Sequence, residues 1–181
     1  MQRKCINLLT KKRKGKMKKT IIVYGSTTGS CQEFAEKIAA KLGVEDVKNV
    51  SEIDADTLAA YDNLLLGTST WGAGELQDDW YDGVETVKAV DLSGKTVALF
   101  GCGDAESYPD TFCGGMIEIY NAVKEAGAEP VGQVSTDGYT FDDSEAVQDG
   151  QFVGLALDVS EGDDKNDERI DQWTASLQEV L

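Results

Sequence analysis

An apolar run that turns directly into an amphipathic helix is the feature that most restricts the fold of this chain. Residues Thr20-Ile21-Ile22-Val23-Tyr24 are rich in β-branched side chains and predict a buried strand. Phe34, Ile38 and Leu42 follow at helical spacing. A strand that passes through a short turn into a helix is the repeating unit of α/β proteins. The sequence therefore predicts a parallel sheet that begins with this unit.

The turn between strand and helix has the chemistry of an anion site. The N–H groups of a first helical turn lack intrahelical partners, and the helix dipole adds positive charge there. Hydroxyl side chains supply further donors, whereas no lysine or arginine lies in the turn, which excludes the Walker phosphate loop. An ordinary polar turn is the alternative. The candidate anion ligands are Ser26, Thr27, Thr28, Gly29, Ser30 and Cys31.

The composition excludes several classes of function. The net charge of −16 over 181 residues argues against nucleic acid or an anionic membrane as partner and favours a basic protein surface. Histidine is absent from the sequence, which excludes Ser-His and Cys-His catalytic pairs. The four cysteines lack CxxC spacing, so we expect reduced thiols, no metal site and a cytoplasmic protein. No stretch of the sequence approaches the ~20 apolar residues of a membrane span.

The first sixteen residues differ in charge from the rest. They carry seven of the 17 basic residues and no acidic residue. We expect residues 1–16 to be a basic disordered tail or the product of a mis-assigned start, with a nucleic-acid arm or a targeting peptide as the alternatives. Residues 17–181 then form one domain.

Apolar patterns alternate between strand and helix along this domain. The order predicts a doubly wound, five-stranded parallel sheet flanked by helices. Residues 133–154 do not fit the repeat, and we interpret them as an insertion in the fifth strand that adds strands at an edge. The predicted strands are 19–25, 44–50, 63–68, 96–101 and one that begins at 130; the predicted helices are 32–42, 55–61, 78–87, 115–126 and 167–181.

Three of these strands lead into unusual loops. Ligands of such sheets bind beyond the carboxyl ends of the strands, where the strand order reverses. Besides the hydroxyl-rich turn, the loop 69–74 carries Trp71, and the loop 101–108 carries Tyr108 after a glycine turn. The combination favours a planar ring with an anionic tail, whereas a core-packed tryptophan and a surface tyrosine are the alternatives. Glu106 stands where a dinucleotide fingerprint needs glycine, which disfavours nicotinamide there.

These motifs together resemble the flavodoxin family from Lys18 to the C-terminus. The resemblance implies the strand order 2-1-3-4-5 with FMN at the switch point. Residues 1–16 have no counterpart, and Ser30-Cys31 replaces a more usual Asn/Lys-Thr pair. The motifs are Gly25-Ser-Thr-Thr-Gly29, Ser69-Thr-Trp-Gly72, Gly74-Glu-Leu-Gln77, Phe100-Gly-Cys-Gly-Asp104 and Phe112-Cys113; those of the insertion, Ser135-Thr-Asp-Gly-Tyr139 and Phe152-Val-Gly-Leu-Ala-Leu-Asp158, look like the long-chain class.

The resemblance assigns a role to each candidate residue. It implies that the hydroxyl-rich turn holds the FMN phosphate, that Trp71 and Tyr108 stack on the flavin, that backbone groups line its polar edges, and that Asp158 reaches the ribityl chain. It implies no catalytic residue and no metal. Besides residues 26 to 31, the candidate cofactor-binding residues are Ser69, Thr70, Trp71, Gly72, Ala73, Gly74, Cys102, Gly103, Asp104, Tyr108, Cys113 and Asp158.

The implied function is a one-electron carrier of low potential that cycles between neutral semiquinone and anionic hydroquinone. Gly72 permits a peptide flip that stabilises the semiquinone, and surrounding negative charge opposes full reduction. The resemblance implies partners with basic docking faces, such as a ferredoxin–NADP reductase or a pyruvate oxidoreductase, and we expect a monomer. An FMN-dependent NAD(P)H:quinone reductase and a phosphoacceptor domain are the alternatives. The predicted docking face contains Glu75, Asp78, Asp79, Asp104, Glu106 and Asp110.

Overall fold

Five parallel strands form the centre of the fold, seen in a computed structural model that describes residues 16–181. Residues 1–15 of the predicted tail lie outside the described residues. The sheet order is β2-β1-β3-β5-β9, and a short strand, β4, pairs antiparallel with β3. Counted as five long strands, this is the predicted order 2-1-3-4-5. The strands are β1 (Thr20–Gly25), β2 (Asp46–Asn49), β3 (Asn63–Trp71), β4 (Glu75–Leu76), β5 (Thr96–Gly103) and β9 (Leu155–Asp158).

Helices cover both faces of this sheet, as predicted. Successive strand residues point to opposite faces, so Ile21 packs into one core and Ile22 into the other. The core of Ile21 contains buried residues of α3 and α4, and that of Ile22 contains residues of α1 and α5. The helices are α1 (Ser30–Leu42), α2 (Ala55–Ala59), α3 (Asp79–Lys88), α4 (Met116–Glu125) and α5 (Asp163–Leu177).

The fifth strand is split by the insertion. Val131 makes only an isolated parallel bridge to Ala98, and regular pairing with β5 starts at Leu155. The prediction of an excursion from the fifth strand is confirmed. The expectation that it adds strands at an edge of the main sheet is wrong, because its strands pair with one another in a separate antiparallel sheet of order β6-β8-β7. These strands are β6 (Val134–Ser135), β7 (Val147–Gln148) and β8 (Gln151–Phe152).

Apart from the fifth strand, two predicted elements have ends that shift by three or more residues. β3 continues to Trp71 instead of ending at Thr68, because its last residues pair with β4. α5 begins at Asp163 and ends at Leu177, four residues before each predicted end. Its first turn carries acidic residues that suit the positive end of the helix dipole but contribute nothing to an apolar pattern. Within residues 16–181, no helix combines the length and the apolar character needed to cross a membrane.

Candidate functional site

A cavity of about 200 Å³ lies where the carboxyl ends of β1, β3 and β5 meet. All three loops singled out in the sequence contribute to its wall. Residues 111–113 and Val159, which follows β9, complete it. Two large aromatic side chains at this rim are solvent-exposed, Trp71 at 40% and Tyr108 at 55%. The lining residues are Thr28, Ser30, Ser69, Thr70, Trp71, Gly72, Cys102, Gly103, Asp104, Tyr108, Thr111, Phe112, Cys113 and Val159.

The hydroxyl-rich turn brings the start of α1 to the cavity. Gly29 adopts a φ of +97°, a conformation that favours glycine, and its N–H donates to Ser26 Oγ at 3.1 Å. Because the residue before the helix is a glycine, it offers no side-chain oxygen to the first N–H groups of α1. Those groups, and the Thr28 and Ser30 side chains at the cavity wall, can therefore serve an anion.

The end of β3 carries Trp71 as a strand residue, which corrects the predicted loop 69–74. Trp71 pairs with Glu75 of β4, and Gly72 and Gly74 form the hairpin turn with φ angles of +51° and +89°. The Trp71 indole Nε1–H donates to Ser69 Oγ at 3.0 Å. The hairpin thus holds the indole at the cavity wall while leaving part of its ring exposed.

The loop after β5 is fixed by its own hydrogen bonds. The Ser107 N–H donates to Asp104 Oδ1 at 2.9 Å, and the Tyr108 N–H donates to the Asp104 carbonyl at 2.8 Å. The Ala105 N–H donates to Asp158 Oδ1 at 3.2 Å, which ties this loop to the end of β9. The turn that leads to Tyr108 is therefore closed by hydrogen bonds to Asp104.

Asp158 lies behind the cavity wall. It is 3% exposed, and its Oδ1 also accepts the N–H of Ser160 at 3.0 Å and the hydroxyl of Ser160 at 2.6 Å. Asn166 of α5 pairs with the Asp158 backbone through both its amide oxygen and its amide nitrogen. These contacts give Asp158 a role in holding two loops together, and its contact with a ribityl chain stays a prediction.

Three buried thiols lie in or next to the cavity wall. Cys102 and Cys113 line the cavity, whereas Cys31 is fully buried in the core with Phe34 and Ile38. The Cys31 side chain therefore faces the core and does not line the cavity. Burial raises the pKa of Cys31, as do the neighbouring Cys102 and Cys113, and burial likewise raises the pKa of Cys113. Both groups stay neutral and add no negative charge beside the anion site.

The insertion supports the cavity from behind. Phe112, at the cavity wall, packs against Tyr139, Phe141 and Phe152 with ring centroids 5.7 to 6.1 Å away. The Ser144 hydroxyl donates to the Phe112 carbonyl. The N–H groups of Asp142 and Asp143 donate to the Pro109 carbonyl at 2.8 and 3.0 Å. Sequence patterns did not reveal this support, because the contacts join residues far apart in the chain.

The structure brings most of the candidate residues together. Ala73 lines an adjoining hollow with Gly72 and Tyr108, and Gly74 packs behind the wall near Thr111. The sequence analysis did not name Thr111, Phe112 and Val159 as candidates, although they line the cavity. Phe112 adjoins the candidate Cys113, and Val159 follows the candidate Asp158. The candidate residues that line the cavity are Thr28, Ser30, Ser69, Thr70, Trp71, Gly72, Cys102, Gly103, Asp104, Tyr108 and Cys113. The candidate residues that do not line it are Ser26, Thr27, Gly29, Cys31, Ala73, Gly74 and Asp158.

The electrostatic character of this rim is acidic. Among the described residues, no lysine or arginine lines the cavity. Five of the predicted docking carboxylates are exposed and Asp104 is half-buried. Within residues 16–181, none of these six carboxylates forms an ion pair with a basic side chain. Of these six, Asp104 lines the cavity and Asp110 lines the adjoining hollow, and no basic side chain in the described part of the chain lies at ion-pair distance to compensate either charge.

The sequence model of the flavodoxin family matches residues 22–173 of this chain. The chain belongs to the flavodoxin family. Flavodoxin 1 of Azotobacter vinelandii is 46% identical over 164 residues, which cover 87% of this chain and 94% of that protein. Flavodoxin 1 of Escherichia coli is 41% identical over 165 residues, which cover 90% of this chain and 94% of that protein. Membership indicates an electron-transfer flavoprotein rather than an enzyme, as the sequence analysis predicted.

Solved structures of flavodoxins share this architecture. The crystal structure of Fusobacterium nucleatum flavodoxin bound to flavin mononucleotide superposes with a TM-score of 0.84 at 29% identity. That comparison covers 91% of this chain and 99% of the other. Oxidised flavodoxin 2 of Bacillus cereus superposes with a TM-score of 0.71 at 28% identity, covering 90% of this chain and 99% of that one. The predicted fold class is thereby confirmed.

Proposed function

We propose that this chain binds FMN non-covalently and acts as a one-electron carrier of low potential, working between the one-electron and two-electron reduced forms of the flavin. The observation that carries the proposal is the convergence of Trp71, Tyr108 and a cation-free hydroxyl turn on one cavity. The separate antiparallel sheet β6-β8-β7, which splits the fifth strand, supports assignment to the long-chain class. Residues 17–181 are the proposed FMN-binding domain.

The residues present fit FMN in both shape and chemistry. Exposed aromatic rings beside an open cavity suit a planar heterocycle, because contact between the faces of stacked rings contributes favourable binding free energy. The first turn of α1 offers backbone N–H donors, and the preceding hydroxyls offer more, which suits a phosphate. When bound, FMN supplies the redox chemistry and the protein adjusts its energetics. Ser26 through Ser30 and the Cys31 backbone are the proposed phosphate ligands.

Gly72 is proposed to form a hydrogen bond with the edge of the flavin ring that carries a proton after reduction. Its φ of +51° lies in a region that L side chains rarely adopt. Because glycine also tolerates the alternative backbone conformation, the peptide after it can rotate at small cost. Its carbonyl would then accept a hydrogen bond from a protonated ring nitrogen, which favours the one-electron reduced state.

The uncompensated carboxylates are proposed to lower the potential for the second electron. One unit negative charge about 8 Å away costs about 2 kcal/mol at an effective dielectric constant of ~20. That energy corresponds to about 90 mV for one electron, given ~59 mV per tenfold change in equilibrium constant. Solvent screening reduces each contribution at this exposed rim, but six carboxylates act in the same direction.

The same carboxylates are proposed to dock redox partners with basic faces, of the ferredoxin–NADP reductase and pyruvate oxidoreductase types. Charge complementarity of this kind speeds association at low ionic strength and weakens as salt is added. A monomer in the cytoplasm is the proposed physiological form. The free, buried thiols of Cys31, Cys102 and Cys113 are consistent with a reducing compartment.

An anaerobic reductive titration tests the proposed redox behaviour. We expect the full-length protein with FMN to take up its electrons in two well-separated one-electron steps, the first with a long-wavelength absorbance band, because Gly72 favours the intermediate state. Visible spectra recorded against a potential-indicating dye measure both steps. A single two-electron loss of colour would contradict the role of Gly72. Steady oxidation of NAD(P)H by the protein alone would contradict the carrier assignment.

Replacing Trp71 with alanine tests the stacking residue. We expect the free energy of FMN binding to weaken by about 1–2 kcal/mol, because contact with one face of the ring is lost. The urea midpoint of the flavin-free protein should change little, since the indole is already 40% exposed. Quenching of flavin fluorescence measures the dissociation constant. Tyr81→Ala is the control, because Tyr81 is 56% exposed on α3 and does not line the cavity; equal effects of both variants would remove Trp71 from the site.

A further inference from the structure

Ser69 and Trp71 lie on the same face of β3, at the end of the strand that borders the cavity. Side chains two residues apart on a strand point to the same side of a sheet. Both residues line the cavity wall, and the Trp71 indole Nε1–H donates to Ser69 Oγ at 3.0 Å. Because an indole N–H can only donate, the Ser69 hydroxyl is the acceptor in this bond.

The sheet holds these two residues with different firmness. Ser69 is the last residue of β3 that pairs with β5, opposite Cys102, and it is 8% exposed. Trp71 lies beyond this pairing, opposite Glu75 of the short strand β4, and it is 40% exposed. The hydrogen bond therefore connects a partly exposed ring to a residue that is fixed within the parallel sheet.

The Trp71 ring has few other restraints. Its N–H is the one polar group of the indole, and within residues 16–181 no other aromatic ring or cation packs against it. The backbone beside it is held independently of Ser69, because Thr70 Oγ1 accepts the Gly115 N–H at 3.2 Å at the start of α4. Ser69 thus bears on the direction of the ring rather than on the path of the hairpin.

We infer that Ser69 is a positioning residue that presets the direction of the Trp71 indole at the cavity wall for contact with the ring of the cofactor. The inference rests on the proposed function, since it assumes that a flavin occupies the cavity. A side chain that is already held in one direction loses little further conformational freedom when the ligand binds. Without its acceptor, the indole has to be ordered during binding, which lowers the affinity.

Removal of the Ser69 hydroxyl tests this role and leaves the aromatic ring in place. We expect Ser69→Ala to raise the FMN dissociation constant about fivefold, the usual consequence of immobilising one additional side chain on binding. Quenching of flavin fluorescence by the full-length flavin-free protein measures this constant. Ser93→Ala is the matched control and should leave the constant unchanged, because Ser93 is exposed before the amino end of β5, whereas the cavity lies at the carboxyl ends of the strands.

A double-mutant cycle with Trp71→Phe shows whether Ser69 acts through the indole. Phenylalanine retains an aromatic face but has no N–H to donate to Ser69. In the Trp71→Phe background, Ser69→Ala should therefore change the FMN dissociation constant less than about twofold. An undiminished fivefold effect in that background would show that Ser69 contacts the ligand directly, and it would overturn the inference.

The indole protons report on the same bond without any ligand. NMR of the flavin-free protein measures how fast each of the three tryptophan indole protons exchanges with water, and Trp71→Phe identifies the Trp71 signal. We expect Ser69→Ala to speed exchange at Trp71 about fivefold, as loss of one hydrogen bond implies. Trp80 and Trp173 are the internal references, because their indole N–H groups donate to backbone carbonyls and should not change.

The outcomes separate this inference from the proposed function. An unmodified protein that does not bind FMN overturns the proposed function and, with it, the inference. FMN binding that Ser69→Ala leaves unchanged, or weakens no more than Ser93→Ala does, overturns the inference while the proposed function stands. Unchanged exchange of the Trp71 indole proton in Ser69→Ala also overturns it. A loss of affinity that the Trp71→Phe background abolishes, with faster exchange at Trp71 alone, supports it.

Discussion

Replacing Trp80 with alanine is expected to lower the free energy of unfolding by about 3–5 kcal/mol, the usual range for deleting a large buried aromatic side chain. Trp80 is fully buried, and its ring fills a space that the absence of side chains at Gly25 and Gly83 leaves open. The substitution also leaves the Gly67 carbonyl without its indole donor. Since the ring supports Gly25, we expect FMN affinity to fall along with stability.

Urea unfolding of the flavin-free protein, followed by far-ultraviolet circular dichroism, measures this change. Trp80→Phe is the intermediate variant: it retains most of the packing but loses the donor, and should cost about 1–3 kcal/mol. Trp71→Ala is the opposite control, because it should weaken FMN binding without moving the urea midpoint. A Trp80→Ala protein as stable as the unmodified one would show that the ring does not support this part of the core.

Replacing Asp158 with alanine is expected to cost about 2–3 kcal/mol of unfolding free energy, because the largely buried Ala105 N–H loses its charged acceptor. The two Ser160 donors are more exposed and can bond to water instead. The link between the end of β9 and the loop that carries Tyr108 is then broken. We expect FMN affinity to fall as a consequence, even though Asp158 does not line the cavity.

The conservative variant distinguishes this link from a simple loss of charge. Asp158→Asn retains an oxygen that can accept the Ala105 N–H, so it should recover most of the stability and most of the FMN affinity. Asp110→Ala is the charge-matched control, because it removes one exposed carboxylate from the same rim. Urea unfolding and FMN titration are the measurements. If Asp158→Ala behaved like Asp110→Ala, the proposed link between the two loops would be refuted.

Local patterns were sufficient to predict the fold class and the main strands. The run from Thr20 to Tyr24 and the helical spacing after it predicted β1 and α1, and the same alternation predicted the parallel sheet. The loops that carry Trp71 and Tyr108 were predicted to meet at one rim, and the structure brings both residues to one cavity. These predictions succeed because strand and helix periodicities are encoded in neighbouring residues, and because parallel strands bring their carboxyl ends together.

Boundaries and side-chain directions were predicted less well. The predicted loop 69–74 proved to include the end of β3, because pairing with β4 depends on a hairpin that apolar periodicity does not encode. The strands of the insertion pair with one another rather than with the main sheet. Strand propensity alone does not distinguish between these possible partners. Cys31 was grouped with the phosphate ligands, yet its side chain belongs to the core face of α1.

The sequence by itself thus determined the parallel α/β architecture, the flavodoxin family and the loops that form the rim. Only the tertiary structure decided that Asp158 joins two loops, that Phe112 rests on the insertion and that Gln77 lies beneath Thr27. The physical reason is the range of the interactions. Periodicity and turn chemistry act between neighbouring residues, whereas each of these contacts joins residues that are brought together only by the register of the sheet and the packing of the helices.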